Sequence, residues 1–172
     1  MKNRITPTNQ ERTLKEGDFV VSKTDTQGRL TYCNEIFLEL SGYSETELLG
    51  AQHNIIRHPD MPRGVFHFLW STRKEGRECF AYVKNMAKDG SYYWVFANVT
   101  PDIATNGNIS GYFSVRRKPT PQAIATVTGI YQQMLAEEQR VGPRDAIDAS
   151  LSLLNTKLEE LNLSYEEFIL SI

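Results

Sequence analysis

Ten residues, His53-Asn54-Ile55-Ile56-Arg57-His58-Pro59-Asp60-Met61-Pro62, constrain this chain more than any other stretch. Pro59 and Pro62 fix their own φ and push His58 and Met61 away from the α region, so the segment reads as a shaped loop between helices. It gathers a guanidinium, an imidazole and a carboxylate (Arg57, His58, Asp60) on stiffened backbone. Such a set can hold a polar cofactor. It can equally tie the loop to itself through an Arg57–Asp60 pair.

The flanks supply the context. Upstream, residues 24–34 (TDTQGRLTYCN) read as a hairpin turning at Gly28, and Asn34 opens a helix over 35–40. Ser44 with Glu47 three residues later is a capping box for a further short helix ending at Gly50. Beyond the loop lies a helix over 64–74. Two strands then flank the Asp89-Gly90 turn, the second continuing over 95–101, and a last strand covers 109–116 after Asn106-Gly107.

This order of strand pair, short helices and three-strand meander resembles a PAS sensory domain. The phrases TDTQGRLTYCN, SGYSETELLG, HNIIRHPDMP, VKN with KDG and YW, and GYFSVRRKP resemble the PAS domain of bacterial aerotaxis receptors over about residues 8–120. The resemblance implies an α+β PAS fold: a five-stranded antiparallel sheet with short helices on one face, here followed by a C-terminal helical extension. It also implies bound FAD, whose redox state is reported to a chemotaxis signalling module.

Composition narrows the class without choosing the function. A formal charge of −2 argues against electrostatic capture of nucleic acid or anionic membrane. No apolar run approaches the roughly 18–20 residues of a membrane helix, and Met1-Lys2-Asn3-Arg4 is followed by polar residues rather than a leader core. Two cysteines, Cys33 and Cys79, lie in no metal spacing. The expectation is a cytoplasmic protein, departing from the long aerotaxis receptors, which continue into a membrane anchor and a signalling rod. Lys118-Pro119-Thr120-Pro121 marks a boundary, dividing the chain into an N-terminal cap segment (1–17), the PAS domain (18–119) and the extension (120–172). Within the extension, Ile147, Leu151, Leu154, Leu158 and Leu161 form an a/d seam two heptads long, to be buried on the sheet, the preceding helix or a second subunit.

A flavin makes distinct demands on such a pocket. Its ring edge offers carbonyl acceptors and an N–H donor, which a side-chain amide matches because it carries both functions. Asn85 stands on the strand where light-oxygen-voltage PAS domains also use asparagine. Asn34 reads as amide or N-cap, and Asn98 as pocket lining or strand surface. Arg57 has the planar fork that phosphate accepts, and the resemblance associates Arg57, His58 and Asp60 with FAD. His53 and Asn54 open the same segment at the pocket mouth. Trp70 is the first aromatic candidate for a ring wall, with Phe66, Phe80, Tyr93 and Trp94 behind it.

Two departures bear on this reading. Flavin PAS domains of the aerotaxis and nitrogen-fixation type commonly carry tryptophan where this chain has Cys79. The reactive cysteine and second asparagine of light-oxygen-voltage domains correspond here to His53 and Val95, which argues against a thiol–flavin photocycle. Haem is an alternative, with His53, His58 and His67 the available ligands. A cofactor-free interaction module is another. No nucleophile–base set or phosphate loop points to an enzyme. A redox signal would leave through the strand around Phe19, Val20 and Val21 or through the seam, to a transducer or a second copy in a homodimer.

Overall fold

The structure, a computed structural model, describes residues 5–172; residues 1–4, including the start of the cap segment, lie outside the described residues. Strands β1 (Val20–Thr24) and β2 (Leu30–Cys33) pair antiparallel. Their turn is fixed by the Asp25 carboxylate, which accepts from the N–H groups of Gln27 and Arg29, and by Gly28 at φ +80°. Helix α1 (Glu35–Ser41) is capped by Asn34 and stopped by Gly42 in the left-handed region. Helix α2 (Glu45–Leu48) carries the Ser44–Glu47 capping box. The loop that follows contains a 3-10 turn over His53–Ile56, then Pro62 leads into α3 (Arg63–Lys74).

Strands β3 (Cys79–Met86), β4 (Tyr92–Ile103) and β5 (Ile109–Arg117) complete one antiparallel sheet of order β2-β1-β5-β4-β3. Gly90, at φ +88°, closes the β3–β4 turn by donating to the Ala87 carbonyl. The cap segment runs beside this turn. Arg12 ion-pairs with Asp89 at 2.6 Å and donates to the carbonyls of Glu39 and Leu40, joining it to the end of α1.

Period-two alternation gives the sheet two different faces. The register puts Cys79, Ala81, Val83 and Asn85 opposite Val99, Ala97, Val95 and Tyr93 on the inner face, under the short helices. The outer face carries Phe80, Tyr82, Trp94 and Phe96, and the extension covers it. Helix α4 (Pro121–Val141), begun by the Thr120 cap with Pro121 in its first turn, stacks Tyr131 on Trp94. The Tyr131 hydroxyl donates to the Tyr82 carbonyl at 2.8 Å. Helix α5 (Ala146–Leu161) returns around the β3 edge to pack on α4 and α3, and α6 (Tyr165–Ser171) closes on β3, with the Tyr165 hydroxyl donating to the Phe80 carbonyl.

One hydrophobic core therefore runs from Phe37 through the sheet to Met134, Leu158 and Ile169. The expected seam is buried on α4 and α3 with its phase shifted. Ala146, Ser150, Leu154 and Leu158 face inward at spacing four, while Leu161 is 53% exposed. Spacing four suits one straight helix crossing two neighbours better than a supercoiled pair. Val20 also differs from its expected place on an output surface, being fully buried on the inner face beside half-exposed Phe19. Among the described residues no helix is long and apolar enough to cross a membrane.

The α3–α5 crossing is close because residue 64 is glycine: an added Cβ would meet the Ser150 hydroxyl and Cβ. Gly64→Ala should cost about 1–3 kcal/mol by overpacking. In the Ser150→Gly background the same change should cost at least about 0.5 kcal/mol less, as expected of contacting residues. Urea unfolding of the four proteins of this cycle measures that coupling.

Candidate functional site

The inner face of β3, β4 and β5 is built largely from small side chains. Cys79, Ala81, Ala97 and Ser114 leave space where larger residues would meet the helices, and a cavity of about 430 Å³ results. That lies within the roughly 300–1,000 Å³ of small-molecule sites. Its opposite wall is the 3-10 turn and α3, which contribute His53, Arg57, Phe66, Trp70 and Arg73. Ile147 of α5 completes the wall, so the extension is part of the cavity as well as of the outer layer.

Three guanidinium groups converge here. Arg57 lies over the Phe66 ring at 4.0 Å and donates to the Met61 carbonyl at 3.5 Å. Arg73 stacks on Trp70 at 3.8 Å and faces Tyr112 at 4.8 Å. Arg116, only 2% exposed, lies over Phe37, donates to the Ser22 hydroxyl and reaches His53 Nε2 at 3.4 Å. Burial lowers the pKa of all three, taking Arg116 to about 10. No carboxylate of the described residues forms an ion pair with any of them. Buried side-chain atoms without a hydrogen-bond partner include Arg73 Nε, Arg116 Nε and Thr24 Oγ1, all on residues of this cavity.

His53 is held neutral. Burial pushes its pKa down to about 3, with Arg116 and then Arg73 adding to the shift. A guanidinium only donates, so Nε2 accepts and the ring keeps its proton on Nδ1. Asn85 is buried in the floor, and no described side chain or backbone group hydrogen-bonds its amide. Its backbone forms an isolated bridge with Arg57, which fastens the loop to β3.

The expected site residues thus divide. His53, Asn54, Arg57, Trp70 and Asn85 are brought together around the cavity. Asn34 is not among them. Its side chain accepts from Val21 and Phe37 and donates to Phe19, leaving it fully used as a cap and strand tie. Asn98 lies on the outer face, opposite Phe80, and donates to Glu78 at 3.1 Å. Phe80 and Trp94 share that face.

His58 and Asp60 act one step behind the wall. Asp60 pairs with Lys84 of β3 at 2.6 Å, not with Arg57, and its backbone N–H donates to His58 Nδ1. His58 is buried edge-on to Tyr92, its pKa lowered to about 4 by burial and by Lys84 against the opposing effect of Asp60. Together they pin the loop that carries Arg57. Cys79 lines the cavity as expected, its thiol pushed up to about 11 by burial. Arg73 and Arg116 escape a sequence reading because arginine is almost never fully buried. The parity that places Arg116 beside Ser114 and Tyr112 was the available signal.

With this geometry in view, comparison with known proteins is decisive on the family. A profile described as the PAS fold matches residues 30–116. The chain belongs to the PAS fold family. It is 41% identical to the aerotaxis receptor of Escherichia coli over 129 residues, which is 75% of this chain and 25% of that receptor. The chain therefore spans about a quarter of the length of that relative. A nitrogen fixation regulatory protein of Klebsiella pneumoniae is 26% identical over 60% of the chain and 21% of its own length. The light-state structure of the Aureochrome1 light-oxygen-voltage photoreceptor superposes with a TM-score of 0.57 at 23% identity, covering 67% of this chain and 91% of that one. That likeness speaks for the fold alone.

The two depressed histidines make stability pH-dependent with a definite sign. Unfolded histidine titrates near 6.5 and the folded groups only near 3 and 4, so the unfolded chain holds more protons in between. The stability they contribute is complete above about pH 6.5 and is lost as pH falls toward 4. Each group should add a slope of roughly 1.4 kcal/mol per pH unit inside that window. Urea unfolding between pH 7 and 4.5 should show the loss, and His58→Gln should flatten it.

Proposed function

We propose that the cavity binds FAD non-covalently and that the protein is a redox sensor of the aerotaxis type. The observation that supports this most directly is the buried Arg116 guanidinium, with half-buried Arg57 and Arg73 along the same cavity, none of them ion-paired with a carboxylate of the described residues. Burying an unpaired charge costs several kcal/mol, and an anionic ligand offsets it. The dinucleotide supplies the phosphates, and the floor supplies the rest of the match: a free amide at Asn85, a polar Thr24 hydroxyl, and small side chains under a flat ring.

Bound flavin supplies the redox chemistry, taking up and releasing electrons. The chain's own residues then discriminate between its states. Arg116 favours the form with more negative charge at the inner end, and the Asn85 amide can turn to donate or accept as the ring edge changes protonation. Arg57, next to the mouth, suits the pyrophosphate. His53 stands where the light-domain cysteine would be, so that position offers no thiol for a photoadduct. Haem is less well matched, because His53 turns Nε2 to Arg116, His58 is behind the wall and His67 is exposed on the rim.

The relatives are a receptor and a regulator, so the output is a signal to another protein. In this reading that partner is a chemotaxis-type transducer in the cytoplasm, reached through the half-exposed Phe19 and Tyr32 at the uncovered end of the sheet. The same surface would serve a homodimer.

Protein purified without added cofactor should show flavin absorption bands and release FAD on denaturation. A Soret band, or a colourless protein that ignores added FAD, contradicts the proposal. Arg116→Met gives a more specific signature. FAD affinity should fall by about 1.5–3 kcal/mol, the range for a hydrogen bond to a charged group, while the ligand-free protein melts no lower than before. Cys79→Trp should tighten FAD binding by adding ring contact in the cavity wall. Fluorescence titration and thermal melts on the same samples read these outcomes.

A further inference from the structure

We propose that Glu138, near the end of α4, is a positioning residue that links the anion-binding end of the cavity to the α4–α5 helix pair. The inference rests on the cavity taking an anionic cofactor and names the place where occupancy leaves it.

Helix α3 begins at Pro62 without a side-chain cap from its own neighbourhood. Its first-turn N–H groups need partners. The Glu138 carboxylate, 74 residues further along and only 7% exposed, accepts from the Gly64 N–H at 3.0 Å. A negative group at a helix N-terminus is also favoured by the helix dipole. Two further contacts come from the same pair of helices. Arg63 donates to the Pro143 carbonyl in the α4–α5 connection at 3.1 Å, and Ser150 of α5 packs on Gly64. The first turn of α3 is therefore held by the extension, and that helix carries Phe66, Trp70 and Arg73 into the cavity.

Glu138 has a second role because of where Arg57 sits. Arg57 lies over Phe66, two residues past Gly64, and Glu138 is the carboxylate whose field supports the Arg57 charge against burial, with Arg63 opposing it. A phosphate that reaches Arg57 becomes a second anion near the same cation. It weakens the attraction between Arg57 and Glu138 and adds repulsion between the phosphate and the carboxylate. The end of α4 is then held less tightly to α3. By linkage, a partner that draws α4 away from α3 changes anion affinity by the same factor.

The glutamine variant separates this role from simple capping. Glu138→Gln keeps a carbonyl acceptor for Gly64 and removes the charge, whereas Glu138→Ala removes both. Ligand-free Glu138→Gln should show wild-type amide hydrogen exchange in the first turn of α3, and Glu138→Ala should show faster exchange there. FAD should bind Glu138→Gln at least about fivefold more tightly than wild type, the lower edge of ordinary inter-site coupling. The FAD-induced rise in exchange over α4–α5 should be lost in that variant, and riboflavin affinity should not change. Equal FAD affinity in wild type and Glu138→Gln, with the same FAD-dependent exchange, overturns the proposal and leaves Glu138 as a cap. Inorganic pyrophosphate as a second probe distinguishes the two levels of the argument. If it alters α4–α5 exchange through Glu138 while FAD does not bind, the coupling stands and the flavin reading falls. If neither probe alters α4–α5 exchange in the wild type, the coupling falls.

Discussion

Arg116 is a charge fixed inside a hydrophobic core with no acid to neutralise it. Its partners are a serine hydroxyl, a histidine nitrogen and an aromatic face. None of these compensates a full charge removed from water. Much around it follows from holding that group in place. His53 stays neutral to accept its hydrogen bond, Phe37 is fully buried beneath it, and Ser22 and Ser114 pair on the two strands beside it. Arg73 and Arg57, half-buried, add positive charge further along the same cavity, and of the two Arg57 has the field of Glu138 near it. In the proposed reading, an anionic ligand is what offsets that charge.

The remainder of the site is scaffolding for those cations. Asp60, Lys84 and His58 fasten the proline-stiffened loop to β3, and the Arg57–Asn85 bridge sets its register. The C-terminal helices fasten α3 from the other side. They cover the outer face of β3 and β4, turn around the edge strand and supply Ile147 to the cavity itself. Structure, cavity and extension thus share one core, and a change of charge inside it bears directly on the contacts that hold α3.

Local chemistry made much of the fold readable in the sequence. Asn34, Ser44 with Glu47, and Thr120 with Pro121 act as the caps their spacing suggests, because a cap is satisfied within four residues. Glycines 28, 42 and 90 mark turns for the same reason. The site was legible only where a residue's role depends on its own neighbours. Asn85 could be placed from the Asp-Gly turn, whereas Asn98 needed the strand register to show that it faces outward. Arg116 and Arg73 read as surface charges, since nothing adjacent announces their burial. Glu138 was invisible because its partner is an amide 74 residues earlier. Even the seam of Leu154 and Leu158 was found without its correct phase, which is set by two neighbouring helices rather than one.

The central claim is that the cavity's unpaired positive charge selects an anionic cofactor. Isothermal titration of cofactor-stripped protein with FAD and with riboflavin, at several salt concentrations, tests it most directly: the two share the ring and ribityl chain, FAD adds the pyrophosphate and an adenosine, and the salt dependence of the difference isolates the phosphates. The account predicts FAD at least tenfold tighter, about 1.4 kcal/mol from charge-assisted contacts, with the difference shrinking as salt rises. Equal affinities for the two, unchanged by salt, would contradict it.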